Sequence, residues 1–453
     1  MDFISNQENQ INAMLKVIGV ENIDALFSAV PQNLRLSSPD EDDGLSEFEG
    51  MQLLKEIAAK NTYPAFTNYL GAGSYEHHVP AIVGATCAKS EFLTAYTPYQ
   101  AETSQGMLQI IFEFQSAICA LTGMDVSNAS LYDGASACAE ALLMALRLNK
   151  GRNKVLIAKS MHPHYRAVCE QYLRSHQTEI KIVPFDLEGK IDKANLLSSI
   201  DDQTAAVLIQ SPNFFGILED LHPIVTAAKK HQAFTIQCGN PLAYGLYACP
   251  GESEIDIAVG DMQPIGLPLQ FGGPYAGYLA CRQDLVRQMP GRIVGETKDS
   301  EGRRGFVLTL QAREQHIRRE KATSNICTNQ ALAALASLVA MLWYGPVGLQ
   351  KLSLTNFQRT AYLKEKLAIL PKVKLMAKAP FFNEFAVNFG RPVNIVQQHF
   401  RKNNIEPGLD LSRFYPQLEG YFIIAVTETK SKEQLDQYVQ IAQELLEGVE
   451  VIS

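Results

Sequence analysis

Basic runs and closely spaced cysteine pairs are missing from this sequence, and no leader segment is expected. Its 453 residues carry 40 Lys and Arg against 48 Asp and Glu, a formal net charge of −8, and no basic run of the kind that follows a phosphate backbone. None of the eight cysteines forms a C-x-x-C pair, which excludes a zinc knuckle and a thioredoxin-like motif. The first ten residues, MDFISNQENQ, resemble neither a secretion signal nor an arginine-rich transit peptide. We therefore expect a cytoplasmic protein with reduced thiols and no nucleic-acid partner.

A long hydrophobic run is missing too. The longest one extends from Ala331 to Tyr344, contains Ser337 and is shorter than the ~20 residues that cross a bilayer. It is typical of a buried helix, so no membrane partner is expected. Hydrophobic residues make up 46% of the chain and charged residues 19%, which provides for a large core in a chain long enough for two or more domains.

Metal-ligand spacing is incomplete. His162 and His164 form an H-x-H pair, but no carboxylate or cysteine stands at a compelling distance to supply a further ligand. We therefore predict no metal site.

The order of the segments predicts an α/β fold in three regions. These are a helical N-terminal arm over residues 1–62, a large domain over 63–345 and a small C-terminal α/β domain over 346–453. In the large domain the short apolar runs NKVLIA, EIKIVPF, TAAVLIQ and FTIQ alternate with helix-like segments. This spacing is typical of right-handed βαβ units, and therefore of a mostly parallel sheet with helices on both faces. Ligands of such sheets lie at the carboxyl ends of the strands, which here include residues 211–213 and 237–240.

Two helices are predicted in the stretch 96–146. The first is expected to begin near Thr103 or Ser104, whose hydroxyl can cap it, and to end at Gly123. The second is expected to begin at Asp133 with small residues that leave backbone N–H groups free. This start is either an ordinary capped helix or an anion site.

The same stretch resembles a known family. The segments YTPYQAETSQG, FEFQ, LTGMDVSNASLYDGA and AEALLMA, and further along EQHIRREKATSNICTNQAL, closely resemble the P-protein of the glycine cleavage system, in its two-subunit form. The resemblance covers essentially the full chain, from IGV near the N-terminus to VTET near the C-terminus. It implies that the large domain has the fold of type-I transferases that depend on pyridoxal phosphate (PLP).

One position departs from the PLP-binding pattern. The companion subunit of the family has H-K-T-F-x-x-P-H-G-G-G-G-P, in which the lysine binds PLP covalently. Counting back from the shared Gly272-Gly273-Pro274, the lysine position falls on Gln263, and Pro268 matches the proline between them. Glutamine cannot form a Schiff base. The strand end at residues 237–241, QCGNP, also lacks the aspartate that normally pairs with the pyridinium nitrogen.

The resemblance therefore implies a protein that works with others. PLP is expected on a lysine-bearing partner, subunit 2, in an α2β2 heterotetramer. Glycine would be decarboxylated there, and its aminomethyl group passed to the lipoyl group of the carrier H-protein.

Candidate site residues follow from the matching motifs. As catalytic candidates that reach the partner's cofactor we name Tyr96, Tyr99, Glu102 and His78. As substrate or interface candidates we name Tyr75, His77, Gln100, Arg318, Arg319, Thr323 and Asn325.

Simpler interpretations stand beside these. The aromatic and histidine residues of the 63–83 segment are equally typical of core filling, and the basic cluster, which also contains Arg313 and Lys321, is equally typical of a solvated helix face. Two rival functions remain open: a self-sufficient PLP enzyme, against which Gln263 argues, and a purely structural partner of subunit 2.

Overall fold

The computed structural model of the chain describes residues 6–36 and 44–447. The chain divides into two compact units, one up to Pro64 and one from Ala65 onward.

The first unit is helical where it is described. Its α-helices are α1 (Glu8–Ile18) and α2 (Glu47–Ala59). Ser46 and Glu49 form a capping box at the start of α2, since each receives a hydrogen bond from the other's backbone N–H. Leu15 is the one buried side chain among the described residues of this unit.

The second unit holds the sheets. Its strands are β1 (Thr67–Asn68), β2 (Val126–Ser127), β3 (Lys154–Ala158), β4 (Glu179–Val183), β5 (Thr204–Gln210), β6 (Phe234–Cys238), β7 (Ile257–Asp261), β8 (Gly277–Cys281), β9 (Ile293–Lys298), β10 (Arg304–Thr309), β11 (Lys374–Leu375), β12 (Glu384–Asn388), β13 (Ile405–Glu406), β14 (Leu409–Asp410) and β15 (Tyr421–Ala425). Its α-helices are α3 (Ala81–Cys87), α4 (Ser90–Leu93), α5 (Gln105–Thr122), α6 (Gly134–Leu148), α7 (Pro163–Leu173), α8 (Lys193–Ser199), α9 (His222–Lys230), α10 (Gln315–Arg318), α11 (Ala331–Ala368), α12 (Val393–Lys402) and α13 (Lys432–Glu447).

Within the described residues, seven strands form the central sheet in the order β2-β8-β7-β6-β5-β3-β4. Strands β3 to β7 pair in parallel, whereas β8 runs antiparallel to both of its neighbours. The apolar runs of the sequence are these parallel strands, as predicted, and β3 and β7 are buried along their whole length. Continuous burial explains why β3 and β7 read as unbroken apolar runs rather than alternating ones.

Both faces of this sheet are covered by helices. Val259 and Leu279 belong to one apolar cluster together with residues of α6, α7, α8 and α9. Their sheet neighbours Ala258 and Ala280 point the other way, into a second cluster with α5 and α11. The predicted α/β fold with a mostly parallel sheet is therefore confirmed.

The C-terminal region forms a second sheet. Strands β11-β12-β15-β14 pair antiparallel, and α12, α13 and the end of α11 pack against them. Strand β1 pairs with β13 and Tyr69 is buried in the same cluster, so the first residues of the predicted large domain pack with this region. The predicted division at residue 345 falls inside α11, where Gly345 (φ 61°, ψ 179°) kinks the helix ahead of Pro346. It stays a prediction.

Three local predictions meet a mixed outcome. Helix α5 does end at Gly123 in the left-handed conformation, but the Ser104 side chain makes no capping hydrogen bond, so that part was wrong. Helix α6 is capped by Asp133, whose Oδ1 accepts from the Ser136 N–H at 2.7 Å. The apolar run from Ala331 was predicted to be buried, yet Leu342 and Trp343 are 66% and 65% exposed. By length and composition α11 is apolar enough to cross a membrane, although 39% of its apolar window is buried in the protein.

Candidate functional site

The carboxyl ends of β3, β5, β6 and β7 meet at one edge of the central sheet, where ligands of such sheets bind. The cavity there has a volume of only about 30 Å³, the share of one water molecule. Its lining residues are Gly73, Tyr75, His162, Tyr165, Gln210, Cys238, Gly239, Asn240, Asp261 and Pro264.

Gln263 is fully buried beside this cavity, and both the oxygen and the nitrogen of its side-chain amide form hydrogen bonds with the backbone. Its Oε1 accepts from the Tyr75 N–H at 2.9 Å, and its Nε2 donates to the carbonyls of Tyr75 and Leu267 at 2.8 and 3.1 Å. The position predicted to correspond to the PLP lysine therefore holds a structural amide that fastens the loop at Tyr75.

The start of α6, the candidate anion site, is occupied by side chains of this chain. Asp261 is buried and its Oδ2 accepts from the Gly134 N–H at 3.0 Å, while its Oδ1 accepts from the Gln263 N–H at 2.9 Å. Burial raises the pKa of Asp261 to about 7, although these two hydrogen bonds oppose the rise. Tyr165 closes the site from the other side, because a Cβ on Gly134 would lie 2.6 Å from its phenolic oxygen. An ordinary helix cap is thus the better description of this helix start.

The H-x-H pair, His162 and His164, has a structural role beside the same cavity. The His162 Nε2 donates to the Ala72 carbonyl at 2.9 Å, its Nδ1 accepts from the His164 N–H at 3.1 Å, and its ring stacks on Tyr165 with centroids 4.8 Å apart. Burial lowers the pKa of His162 to about 4, which keeps the imidazole neutral and suits both bonds.

PLP does not fit this cavity. Gln263, at the position predicted for the lysine, is a satisfied amide, the helix start is covered by Asp261 and Tyr165, and about 30 Å³ is a tenth of the smallest usual ligand pocket of roughly 300 Å³. The absence of the PLP lysine stays a prediction, and the sequence did not indicate that the carboxylate of Asp261 and the ring of Tyr165 occupy the rest of the site.

Three of the predicted site residues fasten the 69–78 loop to the C-terminal region. Tyr75 is buried and its hydroxyl donates to Glu384 Oε2 at 2.7 Å. The His77 Nδ1 lies 2.9 Å from Glu428 Oε2, and the His78 N–H donates to Glu428 Oε1 at 2.7 Å. For Tyr75 the core-filling interpretation fits best, whereas the His78 side chain is exposed.

The pKa values of two carboxyl groups in this contact are shifted in opposite directions. Burial raises the pKa of Glu384 to about 7, although bonds from Ala72 and Tyr75 oppose it. Burial also acts to raise the pKa of Glu428, but the hydrogen bond and charge of His77 and the His78 N–H together lower it to about 2. Glu428 is therefore an anion that holds the loop, whereas the pKa of Glu384 lies close to neutral pH.

Another predicted site residue, Tyr99, lies in a polar cluster of residues that were not predicted. The Arg292 guanidinium donates to the Tyr99 hydroxyl at 3.0 Å and to Thr328 Oγ1 at 3.2 Å. Glu314 and His316 complete the cluster: the Glu314 Oε2 lies 3.9 Å from Arg292 Nε and 3.6 Å from His316 Nδ1. The motifs YTPYQAE and EQHIRRE thus meet at one place through an arginine that sequence reasoning missed.

The other candidates face solvent. Tyr96 is 88% exposed, and Gln100 and Glu102 are exposed at the short 3-10 helix Ala101–Thr103. Arg318 and Arg319 are exposed as well, at and just after α10. Thr323 is half-buried, its N–H donating to the Arg313 carbonyl at 2.9 Å, and Asn325 is exposed.

Arg313 departs from the rest of the basic cluster. It turns inward and donates to the Gly291 carbonyl at 2.7 Å, and burial lowers its pKa to about 10.

The fold is that of the fold-type-I PLP-dependent enzymes. A sphingosine-1-phosphate lyase of Burkholderia pseudomallei superposes with a TM-score of 0.66 at 14% identity, over 93% of this chain and 94% of that one. A solved NifS-like protein superposes with a TM-score of 0.62 at 12% identity, over 84% and 99% of the two chains. Likenesses at such identities show the fold alone.

Closer relatives narrow the class to one family. The family described as glycine cleavage system P-protein matches residues 1–442. A probable glycine dehydrogenase (decarboxylating) subunit 1 of Protochlamydia amoebophila is 62% identical over 98% of this chain and 100% of its own length. The crystal structure of a glycine decarboxylase (P-protein) in inhibitor-bound form superposes with a TM-score of 0.89 at 41% identity, covering 98% of this chain and 100% of that one. The chain belongs to the glycine cleavage system P-protein family.

Proposed function

We propose that this chain is the first subunit of a two-subunit glycine decarboxylase and is active only with a partner that brings PLP and its lysine. The observation that carries the proposal is the filled cavity: Gln263 and Asp261 are held in hydrogen bonds where a cofactor would need a lysine and a free helix start. The name subunit 1 borne by relatives such as the 62% identical one supports the same division of labour. We also propose that the chain acts in the cytoplasm.

An apolar surface is available for the partner. Around the start and middle of α11 lie the exposed side chains of Leu332, Leu342, Trp343 and Val347. Phe271 is fully exposed on a tight loop, with its own backbone at φ 55°. Exposed apolar side chains of this size are typical of protein interfaces, and their aromatic members are typical anchors. The proposed partner is subunit 2 in an α2β2 assembly.

The same assembly brings the exposed stretch around Tyr99 to the partner's active site. Tyr96, Tyr99, Gln100 and Glu102 lie on one exposed stretch that offers phenol, amide and carboxylate groups. Groups of this kind bind a small amino acid or move a proton once they are within hydrogen-bond reach. Thr323 and Asn325 are proposed to lie near the partner's cofactor phosphate, and Arg318 and Arg319 to meet acidic groups of the carrier protein, since guanidinium groups hold carboxylates well.

The chemistry is divided accordingly. On the partner, PLP would supply the electron sink for loss of CO2, and the lipoyl group of the H-protein would accept the aminomethyl group. This chain would orient glycine and exclude water through the tyrosines above. His78, exposed beside the Glu428 contact, is the remaining polar candidate.

The test is glycine–bicarbonate exchange, with PLP and lipoylated H-protein supplied, for this chain alone and with subunit 2. We expect exchange only with both subunits. Exchange by this chain alone would contradict the proposal. Full exchange by intact complexes that carry Tyr96→Phe or Glu102→Gln would favour the purely structural role instead.

A further inference from the structure

Arg292 is a buried cation that no sequence motif singled out. It lies directly before β9 and is 3% exposed. Its carbonyl accepts from the Ala129 N–H at 2.8 Å, so its backbone is fixed to the segment beside the central sheet. Tyr99 rests over the guanidinium, with its ring centroid 5.2 Å from the central carbon, and remains 49% exposed.

The direction of the hydrogen bond at Tyr99 follows from chemistry. A guanidinium group can donate but has no acceptor. The Tyr99 oxygen, 3.0 Å from Arg292 Nη2, must therefore accept, which leaves its own hydrogen to be donated elsewhere. Since Tyr99 is half-exposed, that hydrogen is available to a group outside this chain.

The far side of the guanidinium is held by Thr328. Arg292 Nη1 donates to its Oγ1 at 3.2 Å. The segment around Thr328 is itself fixed, because the Cys327 N–H donates to the Tyr132 hydroxyl and the Gln330 N–H to Ser130 Oγ, both at 3.1 Å. The guanidinium therefore sits between two anchored elements and aims one donor at Tyr99.

The countercharge is imperfect, which argues against a purely structural ion pair. The nearest carboxylate, Glu314 Oε2, is 3.9 Å from Arg292 Nε, too far for a hydrogen bond. Among the described residues neither Arg292 Nε nor Glu314 Oε1 has a hydrogen-bond partner, although both side chains are at least nine-tenths buried. A buried charge kept without full pairing is costly, and such arrangements cluster at functional sites.

We propose that Arg292 is a positioning residue for the decarboxylation reaction, which holds the Tyr99 phenol as a hydrogen-bond donor toward the active site of the partner subunit. The inference rests on the proposed function, because it takes Tyr99 to reach across the interface. Arg292 itself touches neither substrate nor cofactor in this role.

The experiment is a double-mutant cycle on the assembled complex, with glycine–bicarbonate exchange as the assay. We expect Tyr99→Phe and Arg292→Lys each to lower kcat by about 10- to 100-fold, since lysine cannot reproduce the forked contact, with KM for glycine changed little. The double variant should be no slower than Tyr99→Phe, because Arg292 acts through the phenol. The control is Arg304→Lys, an exposed arginine of β10 that should keep full activity.

The outcomes separate the inference from the function beneath it. Full kcat for Arg292→Lys beside an impaired Tyr99→Phe, or losses that multiply in the double variant, would overturn the positioning role alone. Full kcat for Tyr99→Phe in an intact complex would overturn the cross-interface site itself. If Arg292→Lys does not assemble, Thr328→Val provides a second variant, which removes one hydrogen bond of Arg292 at an exposed position. A several-fold loss of kcat in Thr328→Val that disappears in the Tyr99→Phe background supports the inference. The same loss in both backgrounds contradicts it.

Discussion

Restoring the lysine at position 263 should not restore a cofactor site. In Gln263→Lys the ammonium can donate to the carbonyls of Tyr75 and Leu267, as the amide does, but it cannot accept from the Tyr75 N–H. That N–H is left without a partner in a position where the replaced side chain is fully buried. An orphaned buried donor costs about 1–3 kcal/mol, and burying the ammonium, or neutralising it, adds a comparable amount. We expect Gln263→Lys to lose about 3 kcal/mol or more of unfolding free energy.

The same variant should fail to capture PLP. Its lysine would face a cavity of about 30 Å³ in which Asp261 already accepts from the Gly134 N–H. The assay is incubation with PLP, removal of the excess, the visible absorption of the bound aldehyde, and borohydride reduction followed by peptide mapping. Urea unfolding of the same preparation measures the stability.

Gln109→Lys provides the matched control. Gln109 is an exposed residue of α5 whose Nε2 donates to Glu113 Oε1 at 2.8 Å, so this change should leave stability within ~0.5 kcal/mol. It also measures the background reaction of a surface lysine with PLP. One equivalent of PLP reduced onto residue 263, with stability unchanged from the parent, would refute the reasoning about the filled cavity.

Two further predictions concern titration and assembly. The pKa of Glu384 is raised from 4.5 to about 7 in the folded state, so the stability that its protonation contributes is complete below pH 4.5 and is lost as the pH rises to about 7. The unfolding free energy of Glu384→Gln should therefore rise by about 3 kcal/mol relative to that of the parent between pH 4.5 and 7.5. Urea unfolding measures this, and a difference that stays constant with pH would contradict it. Phe271→Ala should weaken binding of subunit 2 about tenfold or more in sedimentation experiments, because an exposed aromatic anchor is lost. Leu187→Ala, at a site 99% exposed, should leave that affinity unchanged, and equal effects of the two changes would argue against the proposed interface.

The central sheet could be predicted because its strands are local signals. Strands β3, β5 and β7 are buried along most of their length and read as short apolar runs, and each connecting helix shows its own period. The direction of β8 could not be predicted, since pairing with β7 and β2 depends on contacts far apart in the chain. The exposed face of α11 was missed for a related reason, because an apolar run looks the same whether its chain or a partner buries it.

The candidate site residues were named from motifs, and their geometry could not be predicted. Tyr75 and Tyr99 have hydrogen-bond partners 309 and 193 residues away, Glu384 in the C-terminal region and Arg292 before β9. No local pattern reports such contacts. The one signal at Arg292 is an arginine between Gly291 and the apolar start of β9, where a solvated charge is not expected.

If PLP is bound by the partner subunit, as proposed, the filled cavity also explains how this chain is stable without a cofactor of its own. In a cofactor-binding pocket the helix start and the lysine are satisfied by the ligand, so the empty pocket leaves polar groups exposed. Here the Asp261 carboxylate takes the place of an anion at Gly134, and the Gln263 amide closes on Tyr75. The loop thus fastened continues through His77 to Glu428. Buried polar atoms without a partner occur in both regions of the described chain, at Asn240 Nδ2 beside the cavity and at Arg292 Nε and Glu314 Oε1. Exposure separates the two regions, because Tyr75 at the cavity is 6% exposed and Tyr99 is 49% exposed. We therefore assign contact with the partner's active site to the Tyr99 cluster and not to the cavity at the sheet edge.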